Sequence, residues 1–321
     1  IVLPSGWGED VGLAGADVLL GVADASNLNE PSGGAVYIFR PRLSGESVSY
    51  LPVAAAPPLT QRTGLIVYSS REIDDERSDL FIITPDGRGR TNLTNRSPRH
   101  EVDPAWSPDG ARLAYVRDGL PGVEMVIMDF DDGDEVIIPT PGSNSVHHLE
   151  WSPDGRFIAY DGMRGSGFDV FVVGVDGSPP RNLTNAHATS ESNPSWSPDG
   201  TRIIFQSEVH GLATMRPDGS DVVPIIGPPL HFSSWPDWSP DGATILYTQD
   251  SDGDGVRDLY VVPAAGGEPR LVIRNGEDGR WSPDGTQILF TGANRGLFRI
   301  DADGGNLTVV DLWGHMGDWQ P

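Results

Sequence analysis

The chain lacks cysteine and lysine, and each absence argues against a class of chemistry. Without cysteine, it cannot form a disulfide bond, a thiolate metal site or a cysteine nucleophile. All 22 basic residues are arginines, and 46 acidic residues outnumber them, which gives a net charge of −24 at pH 7. Such a charge repels nucleic acid and anionic membranes. The composition therefore predicts no nucleic-acid partner and favours cations or basic proteins.

Long apolar runs are also missing. No stretch approaches the roughly 20 apolar residues that a membrane-spanning helix needs, so we expect no membrane insertion. The chain begins at Ile1 rather than at methionine, so we expect that a signal peptide or an upstream domain has already been removed. We therefore expect a secreted protein, either extracellular or in the periplasm or cell envelope.

The main feature of the sequence is a pentapeptide, Trp-Ser-Pro-Asp-Gly, that occurs five times. The copies begin at Trp106, Trp151, Trp196, Trp238 and Trp281. Successive copies are 45, 45, 42 and 43 residues apart. A near-constant period of this length indicates one structural unit that is repeated along the chain.

Each unit predicts four antiparallel strands. In the unit of Trp106, residues 102–106 form a short strand, and Ser-Pro-Asp-Gly supplies a tight turn because proline presets φ and glycine accepts a positive φ. Residues 112–116 and 124–129 follow as two further strands, and residues 135–138 form the fourth. Four antiparallel strands in such a unit are one blade of a β-propeller.

The two ends of the repeated region predict how the ring closes. The segment Gly317-Asp318-Trp319-Gln320-Pro321 looks like a first strand without followers, and residues 65–70 look like a second strand without a predecessor. Pairing the two completes a blade and leaves no open sheet edge. The predicted fold is all-β: residues 61–321 form a six-bladed propeller, and residues 1–60 form an N-terminal β appendage. A seven-bladed ring, with residues 1–60 as a divergent blade, is the alternative.

This repeat pattern resembles the TolB-like propeller family, which includes the propellers attached to prolyl oligopeptidase-type hydrolases. The resemblance covers residues 62–321 and implies a β-propeller fold. It implies no single activity, because such propellers serve as protein-binding platforms, substrate filters and occasionally lyases.

The first 60 residues differ from the repeat. Residues 16–25 and 33–39 look like two strands, and residues 47–53 look like a third. Residues 10–45, with a Gly-Ala-Val-Tyr strand, resemble the FG-GAP repeat of integrin-type propellers. So few strands cannot bury both faces alone, so we expect this segment to form β structure at the rim of the ring and to contact a neighbouring molecule.

A loop rich in aspartate predicts a calcium site. Residues 250–258 read Asp-Ser-Asp-Gly-Asp-Gly-Val-Arg-Asp, which resembles the calcium hairpin of integrin-type blades. The predicted ligands are the carboxylates of Asp250, Asp252, Asp254 and Asp258 and the carbonyl of Val256. Alternate oxygen ligands of this kind converge on one hard cation, so we expect one structural Ca²⁺. Asp79 and Asp169 occupy the position of Asp258 in other blades, which also predicts a role for Asp258 in the repeat.

Histidines and two tryptophans are the other candidate site residues. Six of the seven histidines lie just before a predicted first strand, and therefore on one face around the channel mouth: His100, His147, His148, His187, His231 and His315. Their distances to the following tryptophan differ, which argues against convergence on one metal ion and predicts surface positions. Trp235 and Trp313 fall outside the repeat register, and we expect them to line a face.

Three Asn-x-Thr sequences are possible glycosylation acceptors. They begin at Asn92, Asn182 and Asn306. Because they share one position in the repeat, at the fourth strand, a structural role is the favoured interpretation.

Catalytic motifs are scarce. The sequence has no Gly-x-Ser-x-Gly elbow of a serine hydrolase. The predicted function is a non-catalytic extracellular or cell-envelope propeller that binds a protein partner or assembles with itself, with one structural calcium ion. The alternative is a polysaccharide lyase or hydrolase with its site at the mouth of the propeller channel, in which case the ligand is a carbohydrate.

Overall fold

The computed structural model describes three short strands near the N-terminus and most of the chain from Gly64 onward. The described residues are 11–13, 19–23, 35–39 and 64–321, the last range without 72–76, 95–96, 120–121, 142–144, 186–188, 228–233, 251–252 and 293–294. They belong to two compact units, Ile1–Pro52 and Val53–Pro321. The regular structure described is all β, as predicted, and it includes no helix that could cross a membrane.

The N-terminal unit contains one three-stranded antiparallel sheet. Its strands are β1 (Val11–Leu13), β2 (Leu19–Ala23) and β3 (Ala35–Phe39), in the order β1-β2-β3. Strands β2 and β3 fall within the two segments predicted from the sequence, whereas β1 was not predicted. The third predicted strand, residues 47–53, lies outside the described residues.

Six four-stranded antiparallel sheets, one for each blade, form the C-terminal unit. Blade 1 contains β4 (Ile66–Arg71), β5 (Ser78–Ile83) and β6 (Thr91–Asn92). Blade 2 contains β7 (His100–Trp106), β8 (Arg112–Asp118), β9 (Glu124–Asp129) and β10 (Glu135–Ile138). Blade 3 contains β11 (His147–Trp151), β12 (Phe157–Arg164), β13 (Gly167–Gly174) and β14 (Arg181–Asn182).

The other three blades repeat this arrangement. Blade 4 contains β15 (Glu191–Trp196), β16 (Ile203–Ser207), β17 (Gly211–Met215) and β18 (Val223–Ile226). Blade 5 contains β19 (Ser234–Trp238), β20 (Thr244–Gln249), β21 (Asp258–Pro263) and β22 (Arg270–Ile273). Blade 6 contains β23 (Gly276–Trp281), β24 (Gln287–Gly292), β25 (Leu297–Asp301) and β26 (Thr308–Asp311), and the last strand, β27 (Gly314–Trp319), completes blade 1.

The last strand closes the ring. Strand β27 pairs antiparallel with β4, and Trp319 lies opposite Ile66. The backbone N–H of Gln320 donates to the carbonyl of Leu65 (2.7 Å), and its side-chain Oε1 accepts from the N–H of Leu65 (3.3 Å). Its Nε2 donates to the carbonyl of Gly110 in blade 2 (3.1 Å). The predicted closure is therefore confirmed, the ring has six blades, and the seven-bladed alternative is not favoured.

The repeated Ser-Pro-Asp-Gly segment forms the turn between the first and second strands. In blade 2, Ser107 Oγ donates to Asp109 Oδ1 (2.5 Å) and accepts from the backbone N–H of Arg112 (2.9 Å). The N–H of Gly110 donates to the carbonyl of Ser107 (2.8 Å), and Gly110 has a φ of 67°, which glycine adopts without strain. The hydrogen bond from the serine holds the pKa of Asp109 below its usual value.

The hydrophobic core lies between the blades. The described residues form six apolar clusters, each in an interface between neighbouring blades. In the cluster between blades 1 and 2, Leu65 and Val67 pack with Trp106 and Leu113. The tryptophan of each pentapeptide thus packs against the preceding blade, and the repeat arranges the blades around a central channel.

Candidate functional site

The first strands line the central channel and share one irregularity. They contact one another around the ring, and in each of them the register shifts just before the tryptophan. The residues three positions before the tryptophan are Asp103, His148, Asn193, Trp235, Asp278 and Met316. All six have a φ between 51° and 53°, which is uncommon for residues other than glycine. This β-bulge therefore gives one side chain of each blade a special position at the channel.

Five of these six side chains line a small cavity at the channel mouth, which we call the channel cup. Its volume is about 30 Å³. The lining includes Asp103, His148, Trp235, Asp278, Arg280 and Met316. Both signs of charge and an aromatic ring meet in this cavity, so the channel cup is the candidate site.

An ion pair crosses the channel below the cup. The residues just before each tryptophan form a second ring, which includes Glu150 in blade 3 and Arg280 in blade 6. Arg280 Nη1 lies 3.0 Å from Glu150 Oε2 and 3.3 Å from Asp237 Oδ1. Because blades 3 and 6 are opposite each other in a ring of six, the pair spans the channel and gives the cup a floor.

Carboxylates outnumber the arginine in this second ring. Asp237 and Asp318 each accept the backbone N–H of the tryptophan in the following blade, at 2.7 Å in both cases. Burial raises the pKa of Glu150 and the pKa of Asp318, and the charge of Arg280 lowers both. Arg280 therefore offsets part of the repulsion among the carboxylates around it.

His148 is a cation in the wall of the cup. Its Nδ1 lies 2.7 Å from Asp161 Oδ1, and its backbone N–H donates to Asp103 Oδ2 (3.2 Å). Burial lowers the pKa of His148, but the charge of Asp161 outweighs this effect, and the pKa rises to about 9. The ring therefore carries a proton at neutral pH.

Asp278 lines the cup with one oxygen unpaired. The residue is 8% exposed, and its Oδ1 has no hydrogen-bond partner among the described residues. Burial and the nearby charge of Glu277 raise the pKa of Asp278 to about 7. The indole Nε1 of Trp235 also lacks a partner there, while Arg257 lies over the Trp235 ring, 4.7 Å from its centroid. Two residues of the cup lining thus each have one buried polar atom without a partner among the described residues.

Sequence comparison assigns the repeat to a known family. Residues 58–222 match the sequence model of the TolB beta propeller domain. The chain belongs to the TolB β-propeller family. Comparison with curated proteins finds no match.

Several solved structures have a similar fold. TolB from Acinetobacter baumannii is 21% identical, with a TM-score of 0.69 over 80% of this chain and 67% of that chain. A putative TolB from Agrobacterium tumefaciens is 19% identical, with a TM-score of 0.62 over 78% and 89%. An oligogalacturonate lyase in complex with manganese is 15% identical, with a TM-score of 0.55 over 77% and 74%. At these identities the similarity shows the fold alone.

The predicted histidines of this TolB-family propeller occupy different surroundings. His148 lines the cup, on the channel-mouth face where it was predicted, and His147 Nδ1 lies 3.7 Å from Asp103 Oδ2. His100 instead accepts the backbone N–H of Ser78 (3.2 Å). Among the described histidines and carboxylates, no three are placed to hold one metal ion. The structure does not describe His187 and His231.

The two tryptophans outside the repeat register both reach a face of the propeller, as predicted. Trp235 lines the cup, and the side chain of Trp313 is 58% exposed in the connection before the last strand. Trp235 is therefore the tryptophan that belongs to the candidate site.

The aspartate-rich loop is a hairpin between β20 and β21, as the sequence predicts. Asp250 is buried and accepts two backbone N–H groups of the loop, at 2.8 and 3.0 Å. Asp254 Oδ1 accepts the N–H of Val256 (2.7 Å), and Asp252 lies outside the described residues. The calcium ion stays a prediction.

Asp258 has a role in the repeat that does not depend on a cation. It begins β21, and its Oδ1 accepts the backbone N–H of Asn275 (2.9 Å). In blades 1 and 3, the equivalent Asp79 and Asp169 each accept the side-chain amide of the asparagine in the fourth strand, at 2.7 Å. These buried carboxylates tie the third strand to the segment that follows it.

Two of the three Asn-x-Thr asparagines are engaged in these bonds. Asn92 and Asn182 use Nδ2 to reach the aspartates, which agrees with the structural role that their shared position predicts. Asn306 differs, because its Nδ2 donates to Asp301 Oδ2 (2.6 Å) at the end of the third strand of its blade, rather than to an aspartate near the start of that strand.

A groove with a larger volume than the channel cup lies between blades 1 and 2 at the rim. Its volume is about 740 Å³, and its lining includes Leu93, Arg99, Arg117, Met128 and Glu135. Arg117 pairs with Glu101 and Glu135, and Arg99 pairs with Glu124. Because both arginines are neutralised within the chain, the groove is a weaker candidate site than the channel cup.

Proposed function

We propose that this TolB-family propeller is a non-catalytic module of the cell envelope or extracellular space that binds a protein partner at its channel mouth. The observation that carries the proposal is the channel cup. The Arg280–Glu150 pair closes it below, and its lining includes Asp278 and Trp235, each with one buried polar atom that has no partner among the described residues. Tryptophan and charged groups in a small pocket are typical anchors of protein interfaces.

The size of the cup favours a side chain of a partner over a small-molecule substrate. Pockets for small molecules typically enclose roughly 300–1,000 Å³, whereas the cup encloses about 30 Å³. A side chain that projects from another protein needs only such a cup, because the surrounding face supplies the rest of the contact. The net charge of −24 favours a basic partner surface.

Two tryptophan variants test the docking site. The tagged parent chain, Trp235→Ala and Trp313→Ala are compared in capturing proteins from an envelope extract of the source organism. We expect Trp235→Ala to lose the partner, and Trp313→Ala to retain it because Trp313 lies outside the cup. Equal capture by the two folded variants would contradict docking at the channel mouth, and no saturable partner for the parent would contradict a binding function.

We further propose that the N-terminal unit contributes a contact with a partner or with a second copy of the chain. Its sheet has β1 and β3 as outer strands. An outer strand offers backbone N–H and carbonyl groups that can pair with a strand of another molecule. Deletion of residues 1–60, argued in the Discussion, tests this part of the proposal.

We also propose that the hairpin of blade 5 binds one structural Ca²⁺. The ligands are Asp250, Asp252, Asp254, Asp258 and the carbonyl of Val256. In support, Gly253 and Gly255 have φ values of 77° and 84°, which give the sharp turn that a calcium loop requires. The loop also gathers acidic residues that would repel one another without a cation.

A polysaccharide lyase or hydrolase is the second candidate function. The presence of His147 and His148 at the channel mouth favours it, and the small volume of the cup opposes it. Incubation with polygalacturonate and other acidic glycans, with and without added Mn²⁺, separates the two candidates. Release of new chain ends at a rate that Trp235→Ala abolishes would establish the enzyme and overturn the non-catalytic proposal.

A further inference from the structure

The channel cup and its floor hold more buried carboxyl groups than cationic side chains. Among the described residues, their cations are His148 and Arg280. Each already has a partner, because His148 lies 2.7 Å from Asp161 and Arg280 lies 3.0 Å from Glu150. Four further buried or half-buried carboxylates surround them: Asp103, Asp237, Asp278 and Asp318. Such like charges repel one another, so a further cation in the cup would be stabilised.

Asp278 is the carboxylate best placed to receive that cation. Asp278 lines the cup, and its buried Oδ1 has no hydrogen-bond partner among the described residues. Arg257 lies nearby but pairs with Glu277, at 2.6 Å, and so does not neutralise Asp278. A buried carboxylate oxygen without a hydrogen bond is costly. A proton offsets this cost, and a hydrogen-bond donor with a positive charge would offset it better.

The volume of the cup selects among cations. A cavity of about 30 Å³ has the volume of one water molecule in the liquid. A primary ammonium group is of this size and carries three N–H donors, whereas a guanidinium group is a larger planar fork.

A metal ion fits less well than an ammonium group. Among the described histidines and carboxylates, no three are placed to hold one metal ion. A metal needs short contacts to several ligands, whereas an ammonium group forms longer hydrogen bonds and tolerates a wider spacing of acceptors.

We propose that the channel cup binds a primary ammonium group, supplied by a lysine side chain of the partner protein. The inference rests on the proposed function, because docking at the channel mouth brings such a side chain to the cup. Asp278 accepts one N–H of the ammonium group, and Asp103 adds negative charge from another wall. The chain has no lysine, so its own side chains offer no primary ammonium group that competes.

The test uses a lysine mimic and the indole resonances of the full chain. Nα-acetyl-lysine-N-methylamide is titrated into ¹⁵N-labelled protein at constant ionic strength, and the Trp235 indole resonance is assigned with Trp235→Phe. We expect a saturable shift of this resonance. The arginine analogue should bind about tenfold more weakly, and the norleucine analogue, which has an apolar stem without the ammonium group, should give no saturable shift.

Asp278→Asn provides the decisive variant, with Asp86→Asn as its matched control. Both remove one carboxylate charge, but Asp86 is exposed in the turn between β5 and β6, outside the cup. We expect Asp278→Asn to lower the affinity for the lysine mimic by about tenfold or more. Asp86→Asn should leave this affinity unchanged. Equal affinity of the two variants, or equal shifts with lysine and norleucine, would overturn the inference.

A further arm separates the sources of the ammonium group. n-Butylammonium reproduces the lysine side chain and should bind as tightly as the lysine mimic, so the capture experiment with Trp235→Ala decides whether a partner protein supplies the group. Lysine binding together with undiminished capture by Trp235→Ala would refute the proposed docking site and leave an amine site. Capture that depends on Trp235, without lysine binding, would refute the ammonium inference alone.

Discussion

Asp278 is buried with one carboxylate oxygen unpaired among the described residues, and its titration should therefore oppose folding near neutral pH. Its pKa is about 7 in the folded chain and about 3.9 in an unfolded chain. Between these values the folded chain binds the extra proton, so stability falls as the pH rises from about 4 to about 7. Without ligand, we expect Asp278→Asn to be more stable than the parent at pH 8, by roughly 1–4 kcal/mol.

Urea unfolding at two pH values measures this difference. Near pH 4 the advantage of Asp278→Asn should vanish, because Asp278 is then protonated in the folded chain and half protonated in the unfolded chain. The control Asp86→Asn should show no gain at pH 8, since a hydrogen bond from Thr84 lowers the pKa of Asp86. If the parent is as stable as Asp278→Asn at pH 8, or more stable, then other groups in the folded chain offset the cost of burying the charge of Asp278.

At the residue scale, the sequence predicts the repeat but not the channel cup. The pentapeptide is visible because the same residue types recur at each turn. The bulge positions carry different residue types, for example aspartate at Asp103, histidine at His148 and tryptophan at Trp235. Because none of these residues is a glycine, the sequence gives no sign of their positive φ. Only their common distance of three residues from the following tryptophan shows that they occupy the same position in each blade. His148 and Trp235 have the same distance, which identifies both as channel residues once the bulge is known.

At the element scale, the closing strand depends on one glutamine. Gln320 occupies the place of the serine in the other turns, and its amide bonds to Leu65 and Gly110. Gln320→Ala leaves these backbone groups without their partner, so we expect a loss of about 1–3 kcal/mol in the free energy of unfolding. Ser107→Ala removes the matching side chain from a turn within a continuous blade and should cost about 1 kcal/mol. Chemical denaturation compares the two, and a smaller loss for Gln320→Ala would contradict this role in closure.

The hairpin of blade 5 makes a separate prediction about calcium. If the loop binds Ca²⁺ only in the folded chain, the ion adds to stability, and chelation should lower the melting temperature by several degrees. Asp254→Asn removes one proposed ligand and should reduce the response to calcium. Asp132→Asn, in the exposed turn before β10, should retain the full response. A melting temperature that is indifferent to both EDTA and added calcium would refute the site.

The strands themselves are predictable where alternation and turn chemistry coincide. The second and third strands of the blades alternate over five or more residues between recognisable turns, and the structure has them close to the expected positions. Strand β1 spans Val11–Leu13, which is too short for a periodic pattern. The length of a fourth strand, such as the two residues of β6, depends on packing at the rim rather than on its own sequence.

At the scale of the whole molecule, the ring is complete without the N-terminal unit. Blade 1 takes three strands from the start of the repeated region and its inner strand from the C-terminus. This arrangement joins the two ends of the repeated region by backbone pairing, so that the ring has no open edge at its junction. The sequence predicts this closure because the surplus first strand and the missing one are both visible.

Deletion of residues 1–60 should therefore leave the propeller folded. All six described blades lie in Gly64–Pro321, so the truncated chain keeps every inter-blade cluster. If the N-terminal unit mediates contact with a second copy, the full chain should associate with rising concentration and the truncated chain should stay monomeric. Sedimentation measures association, and circular dichroism with thermal unfolding verifies the fold. Loss of folding on truncation would make the segment an integral part of the propeller, and equal association of both chains would place the contact on the blades.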